Sequence, residues 1–512
     1  MRLWETSWTL IVVLVLCATG AFAQDQKQET SPIDLNAPLQ PLDTTPGVGY
    51  SNKPPIGAAR GVSAPFDPQP YDPSQVIPDQ NTLAGATPFT LGSVQHTRNT
   101  FDPAISVSQL GQTVPGASGQ TVLTGVSVVG ASLNFDRTWS EYHFSAIYNG
   151  GETFNLGYSA APTFFGQTSP HYQFHDLVVS QEADWARWHV LLRDIFMASP
   201  GAAFSGQGMG GPGLSAQFSS LLGASLNSFA SGFVPSETIN TGLAMRYTNA
   251  ILGQVEYSFS RRSAFTFSSS YGLLHFTVPG YISSSLFNVQ AGYDYLLDPF
   301  NSVALLASYG KIDYTGTGSS TTGTSMIGTG NSVTDYVGAL AYGRKITGRL
   351  AFQVAAGPEE IHSAAPGGVG NFHLLFVSVY STLSYARRRS GVSFSYVRGL
   401  NGGSGVLLGA TGNTISGSAN YQFTRFWTGS VTGGYALNNN LASAGAASTQ
   451  FDNWFIGTNL GRQVGPHLQI NFNYGATRQN NPAICPVVGG CGGTGLQQTF
   501  GMSVNWHLRP AG

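Results

Sequence analysis

Two places in the chain set side chains of catalytic type beside one another: His175 with Asp176, and His362 with Glu359 and Glu360. A histidine next to a carboxylate can serve as a general base, but hydrolysis also needs a nucleophile and an orienting group converging on it. No motif fixes such a spacing here, so these residues read as polar rim or lumen side chains and no enzyme is expected. The ten histidines are scattered, and no Cys or His pair has the spacing of a zinc site. Neither a metal nor a cofactor is expected. Cys485 and Cys491, with Pro486 and two glycines between them, read as a small disulfide of an oxidising compartment that braces a loop. The remaining chemistry is ionic. Asp176, Glu182, Asp184, Arg187, Arg193 and Asp194 interrupt the apolar residues Leu177, Val178, Val179, Leu191 and Leu192. Such charges require an interior or a rim, and the elements that supply one are strands.

From about residue 100 onward the sequence alternates with period two, which places successive side chains on opposite faces of a strand. Val255, Tyr257 and Phe259 oppose Gln254, Glu256 and Ser258; Phe287, Val289, Tyr293 and Tyr295 oppose Asn288, Gln290 and Asp294. Leu468, Ile470, Phe472 and Tyr474 oppose Gln469, Asn471 and Asn473, and the closing segment sets Phe500, Met502, Val504 and Trp506 against Ser503, Asn505 and His507. A soluble sandwich also alternates. Many of these segments, however, run ten or more residues, the length of about 9–11 that a membrane strand needs, beyond the globular mode of about 5–6. Short turns at 137–140, 185–187, 261–263, 298–301, 345–348, 387–390, 424–426 and 463–466 alternate with long Gly/Ser/Thr/Asn loops. This is the pattern of short periplasmic turns and longer outside loops. The prediction is a single transmembrane antiparallel β-barrel of about 18 strands (16–20) over residues 96–512.

Composition agrees. Only 9% of the 512 residues are charged while 12% are aromatic, and the formal net charge is −2; nucleic acid is not an expected partner. Arg2 followed by Leu10 to Leu16 and by Ala21, Phe22 and Ala23 predicts a signal peptide over 1–23. Residues 24–95 are Pro-rich and predicted to be a disordered periplasmic segment. Trp139, Trp185, Trp188, Phe426, Trp427 and Trp506 sit near the short turns, where an interfacial girdle belongs. Within the long loop at 199–245, Phe218, Leu221, Leu222, Leu226 and Phe229 have near-helical spacing and predict a short amphipathic helix at the mouth or in the lumen. Arg on the lipid face costs about 2–4 kcal/mol at mid-bilayer. Arg193 and Asp194 are therefore expected to line the lumen or close the barrel seam as a salt bridge, and Glu256 and Asp294 complete the set of lumen candidates.

The hairpin from Gly125 through Asn149 with Gly150 and Gly151, the stretch from Trp185 to Leu192 and that from Tyr271 to Phe276 resemble uncharacterised outer-membrane β-barrel proteins of acidobacteria. The resemblance implies a fold and a location, and no activity. The chain departs from outer-membrane barrels generally in ending on Leu508, Arg509, Pro510, Ala511 and Gly512 in place of an aromatic residue. Strand number and a polar inner face predict a porin-like channel for small polar solutes, with the lipid bilayer and those solutes as partners. The alternative is a structural or export component whose Pro-rich segment docks a periplasmic partner; a homo-oligomer is the other association expected.

Overall fold

The computed structural model describes residues 100–508, apart from 116–120, 140, 156–170, 201–244, 261, 278–280, 316–330, 348, 365–371, 388, 403–406, 408, 442–449, 466 and 481–495. The predicted signal peptide, the Pro-rich segment, the helically spaced residues 214–233 and the pair Cys485 and Cys491 lie outside the described residues.

The described residues form an 18-stranded antiparallel sheet closed on itself. In chain order the strands are β1 (Thr100–Pro115), β2 (Thr121–Thr138), β3 (Tyr142–Asn155), β4 (His171–Asp184), β5 (Trp188–Pro200) and β6 (Met245–Ser258). They continue with β7 (Ser263–Phe276), β8 (Ser283–Asp298), β9 (Asn301–Thr315), β10 (Ser332–Lys345), β11 (Leu350–Ala364) and β12 (Phe372–Arg387). The last six are β13 (Ser390–Asn401), β14 (Ala410–Gln422), β15 (Trp427–Asn440), β16 (Gln450–Val464), β17 (Leu468–Asn480) and β18 (Leu496–His507). Each strand pairs with its sequence neighbours, and β1 pairs with β18 from Ala104↔His507 to Thr113↔Gln498. Closure leaves no sheet edge, so the wall satisfies its own backbone donors and acceptors. At this seam His507 Nδ1 lies 3.1 Å from a carboxylate oxygen of Asp102, and His467 Nδ1 lies 2.9 Å from the His507 carbonyl.

The eight connections at one end are the eight predicted from the sequence, and four of them share one device. Ser260 Oγ accepts from the backbone N–H groups of Arg262 and Ser263, each at 3.1 Å. Asp298 does the same for Phe300 and Asn301, Thr347 for Arg349 and Leu350, and Thr424 for Phe426 and Trp427. A short oxygen-bearing side chain at the head of the turn thus closes it from within.

Alternation sorts the side chains. Along β7 the odd residues Phe265, Phe267, Tyr271 and Leu273 are exposed while Ala264, Thr266, Ser268, Ser270 and Leu274 are buried. The outer surface carries Ile105, Val107, Leu305, Leu340, Leu375, Phe472 and Met502. The girdle predicted near the short turns is present: Trp139, Trp185, Trp188, Phe426 and Trp506 are all exposed. Their rings are tied to neighbours, Trp185 edge-on to Tyr142 at 6.2 Å and Trp188 against Tyr257 at 4.5 Å. Arg137, Arg425 and Arg462 lie over Trp139, Phe426 and Trp427 respectively. Among the described residues no helix is long and apolar enough to cross a membrane.

Packing inside the wall explains Gly151 of the β2–β3 hairpin. Phe174 is fully buried against Val126 and Val128. A Cβ at Gly151 would stand 2.3 Å from the Val129 carbonyl oxygen and 3.0 Å from the Phe174 ring. Only glycine lets β3 pass here at normal ladder distance.

Candidate functional site

The described inner wall mixes small and aliphatic residues with short polar side chains in about equal measure. Ser145 meets Ser180 at 2.7 Å, Ser393 meets Ser418 at 2.7 Å, Ser395 meets Ser416 at 2.6 Å, and the Asn401 amide donates to Asn438 at 2.8 Å. Small groups that pair along the wall do not reach across it, and a barrel of this strand number is too wide for side chains to fill. Longer, charged side chains are set among them. Among the described residues the buried charged positions are Asp136, Asp176, Glu182, Glu256, Asp294 and Glu359 against Arg193 and Arg246, with His143 held 3.0 Å from Asp136. Arg193 is within Coulombic range of Glu182, and Arg246 of Asp176. His189 and Glu256 are direct cross-strand partners. Glu256 in turn faces Asp294, whose carboxylate accepts from Thr266 Oγ1 at 3.4 Å. Carboxylates outnumber guanidinium groups on this face.

Of the four lumen candidates, Arg193, Glu256 and Asp294 are buried on the inward face. Asp194 is not with them. It shares the outward face of β5 with exposed Trp188 and Leu192, where the Asn249 amide donates to its Oδ1 at 2.8 Å. The lumen or seam role expected for Asp194 therefore gives way to a carboxylate midway along the outer wall. The reason is elementary: consecutive strand residues face opposite sides. The seam itself is closed by the β1–β18 ladder, with Asp102 and His507 in contact at its end.

The imagined catalytic sets do not assemble. His175 points outward, 2.9 Å from Tyr148 Oη, whereas its neighbour Asp176 is buried inside. Glu359 is buried inside, while Glu360 and His362 are outside. On the outer wall at the long-loop end, however, Glu360, His362 and His373 converge, a grouping the scattered sequence positions did not reveal. The signal was in the register: His362 and His373 are opposed across β11 and β12.

At the long-loop end the chain turns inward from the wall. The β12–β13 ladder runs only from Val379↔Arg398 to Arg387↔Ser390, so the last residues of β13 leave it. Leu400 N–H instead donates to Glu359 Oε1 at 2.9 Å, across the inner face of β12. Beyond it Gly409, with φ +83°, accepts at its carbonyl oxygen from Leu441 N–H; a Cβ there would meet Leu441 Cδ1 at 2.8 Å and Tyr314 Oη at 3.1 Å. Tyr314 belongs to β9, five strands from β14. Leu400 and Leu441 pack on the buried cluster of Ile282, Leu286, Ile312, Tyr314, Val333 and Ile361. The mouth thus has an apolar shoulder above a polar, acidic wall.

No family model and no curated protein matches the chain. Among solved structures it is similar to the outer membrane protein OpdK of Pseudomonas aeruginosa at 10% identity and a TM-score of 0.38, covering 80% of this chain and 98% of that one. It is also similar to OpdQ of Pseudomonas aeruginosa (10% identity, TM-score 0.38, 81% and 100% covered) and to OccAB2 of Acinetobacter baumannii (9%, 0.40, 80% and 98%).

Proposed function

We propose that the chain is an outer-membrane channel of porin type that passes small polar solutes. One observation carries this reading: the sheet of 18 strands is closed, apolar and aromatic outside, and sets hydroxyls, amides and carboxylates among aliphatic residues inside. Strands of 12–18 residues exceed the about 9–11 that cross a hydrocarbon core. An exposed apolar surface of this extent requires lipid, and closed barrels with aromatic girdles and uneven loop lengths are the outer-membrane form. The buried carboxylates favour cations and cationic or neutral solutes over anions.

Liposome swelling tests it. Purified, folded barrel reconstituted in liposomes is expected to speed swelling in small neutral sugars and in basic amino acids more than in acidic ones. Swelling no faster than in protein-free liposomes would favour the export or scaffold reading, in which a periplasmic partner is engaged.

A further inference from the structure

We propose that Glu360, His362 and His373 form a binding site for one divalent transition-metal ion of the zinc class on the outer wall of the barrel. Glu360 and His362 are two residues apart on β11 and share its outward face, and His373 stands directly opposite His362 on β12. Both imidazoles aim Nε2 at the same carboxylate oxygen, His362 at 3.0 Å and His373 at 2.7 Å from Glu360 Oε1. The two rings lie with centroids 4.7 Å apart and planes inclined by 47°. Three donor atoms, all within 4.8 Å of one another, therefore surround one point in space.

A tetrahedral zinc ion with donors at about 2.0–2.2 Å separates them by about 3.4 Å, so side-chain rotation alone closes the site. The backbone needs no change, because β10, β11 and β12 are in continuous register here. Tyr336, edge-on to His362 at 6.0 Å, supports one ring. Two imidazoles and a carboxylate suit zinc, copper or nickel, while calcium and magnesium take oxygen donors. The side chains are about half exposed, so a fourth coordination position opens to the surroundings and can be filled by water. Lys311, the cation two strands away, is paired with Asp313 at 2.9 Å and leaves the carboxylate of Glu360 to the histidines. As an exposed ion pair alone, the triplet adds little to stability; as a chelate it gains an ion.

Untagged barrel, folded in detergent, is titrated with Zn2+ by calorimetry and with Cu2+ by electron paramagnetic resonance. One ion per chain is expected, with a copper spectrum split by nitrogen ligands and no competition from Mg2+. His362→Ala and His373→Ala should each weaken Zn2+ binding roughly tenfold or more, whereas His171→Ala, on the same outer surface but outside the triplet, should leave it unchanged. Zinc binding undiminished in the His362→Ala, His373→Ala double variant, or a copper spectrum without nitrogen coupling, would overturn the site. If an alanine variant loses its folded electrophoretic mobility, His362→Gln and His373→Gln replace it and the wild-type copper spectrum still decides.

Discussion

Arg193 and Asp194 are neighbours in sequence and strangers in space. Arg193 is buried inside within Coulombic range of Glu182, so Arg193→Ala removes a guanidinium that offsets that buried carboxylate and leaves a cavity, and should cost about 1–3 kcal/mol. Asp194 and Asn249 hold each other on the outer wall. Replacing both together by leucine should be neutral or stabilising by about 1 kcal/mol, because neither partner is then left unpaired. Denaturant unfolding of the barrel in lipid compares the two variants; a costly double leucine variant would mean that Asp194 does not face lipid. The sequence could have separated this pair, since a strand cannot place consecutive residues on one face. It could not say which faces in, because Leu191 and Ile195 beside Arg193 are as apolar as Leu192 and Phe196 beside Asp194.

At the scale of elements, most of the barrel was legible. Alternation in Gln254 to Phe259 or Leu468 to Tyr474 assigns faces correctly, and Ser260, Asp298, Thr347 and Thr424 head the turns that their chemistry favours. Gly151 has a packing cause, and Gly151→Val is expected to destabilise the barrel by about 1–3 kcal/mol through overpacking, measured by the same unfolding experiment. Two features were hidden because they depend on how strands meet and not on any one strand. The triplet on β11 and β12 needs their register. The shoulder at the mouth needs the end of β13 to abandon β12 for Glu359, which nothing in Arg398 to Asn401 announces. If Leu400, Gly409 and Leu441 narrow the passage against Tyr314 and Val333, Leu400→Ala combined with Leu441→Ala should raise single-channel conductance. Unchanged conductance would place the narrowest point elsewhere.

For the whole molecule, a near-neutral chain hides an uneven distribution of charge. The formal net charge is −2, yet buried carboxylates exceed buried arginines on the inner wall, and Arg137, Arg425 and Arg462 sit with the aromatic residues of the outer girdle. In the proposed channel a low-dielectric wall focuses the field of such carboxylates into the passage. Glu256→Gln with Asp294→Asn should therefore reduce preference for cations without closing the channel. The decisive measurement is single-channel current from the folded protein in a planar bilayer under a salt gradient. Discrete steps with a reversal potential of the sign that marks cation preference are the predicted result; a folded barrel that stays silent, or one that prefers anions, would contradict the channel reading or its acidic lining respectively.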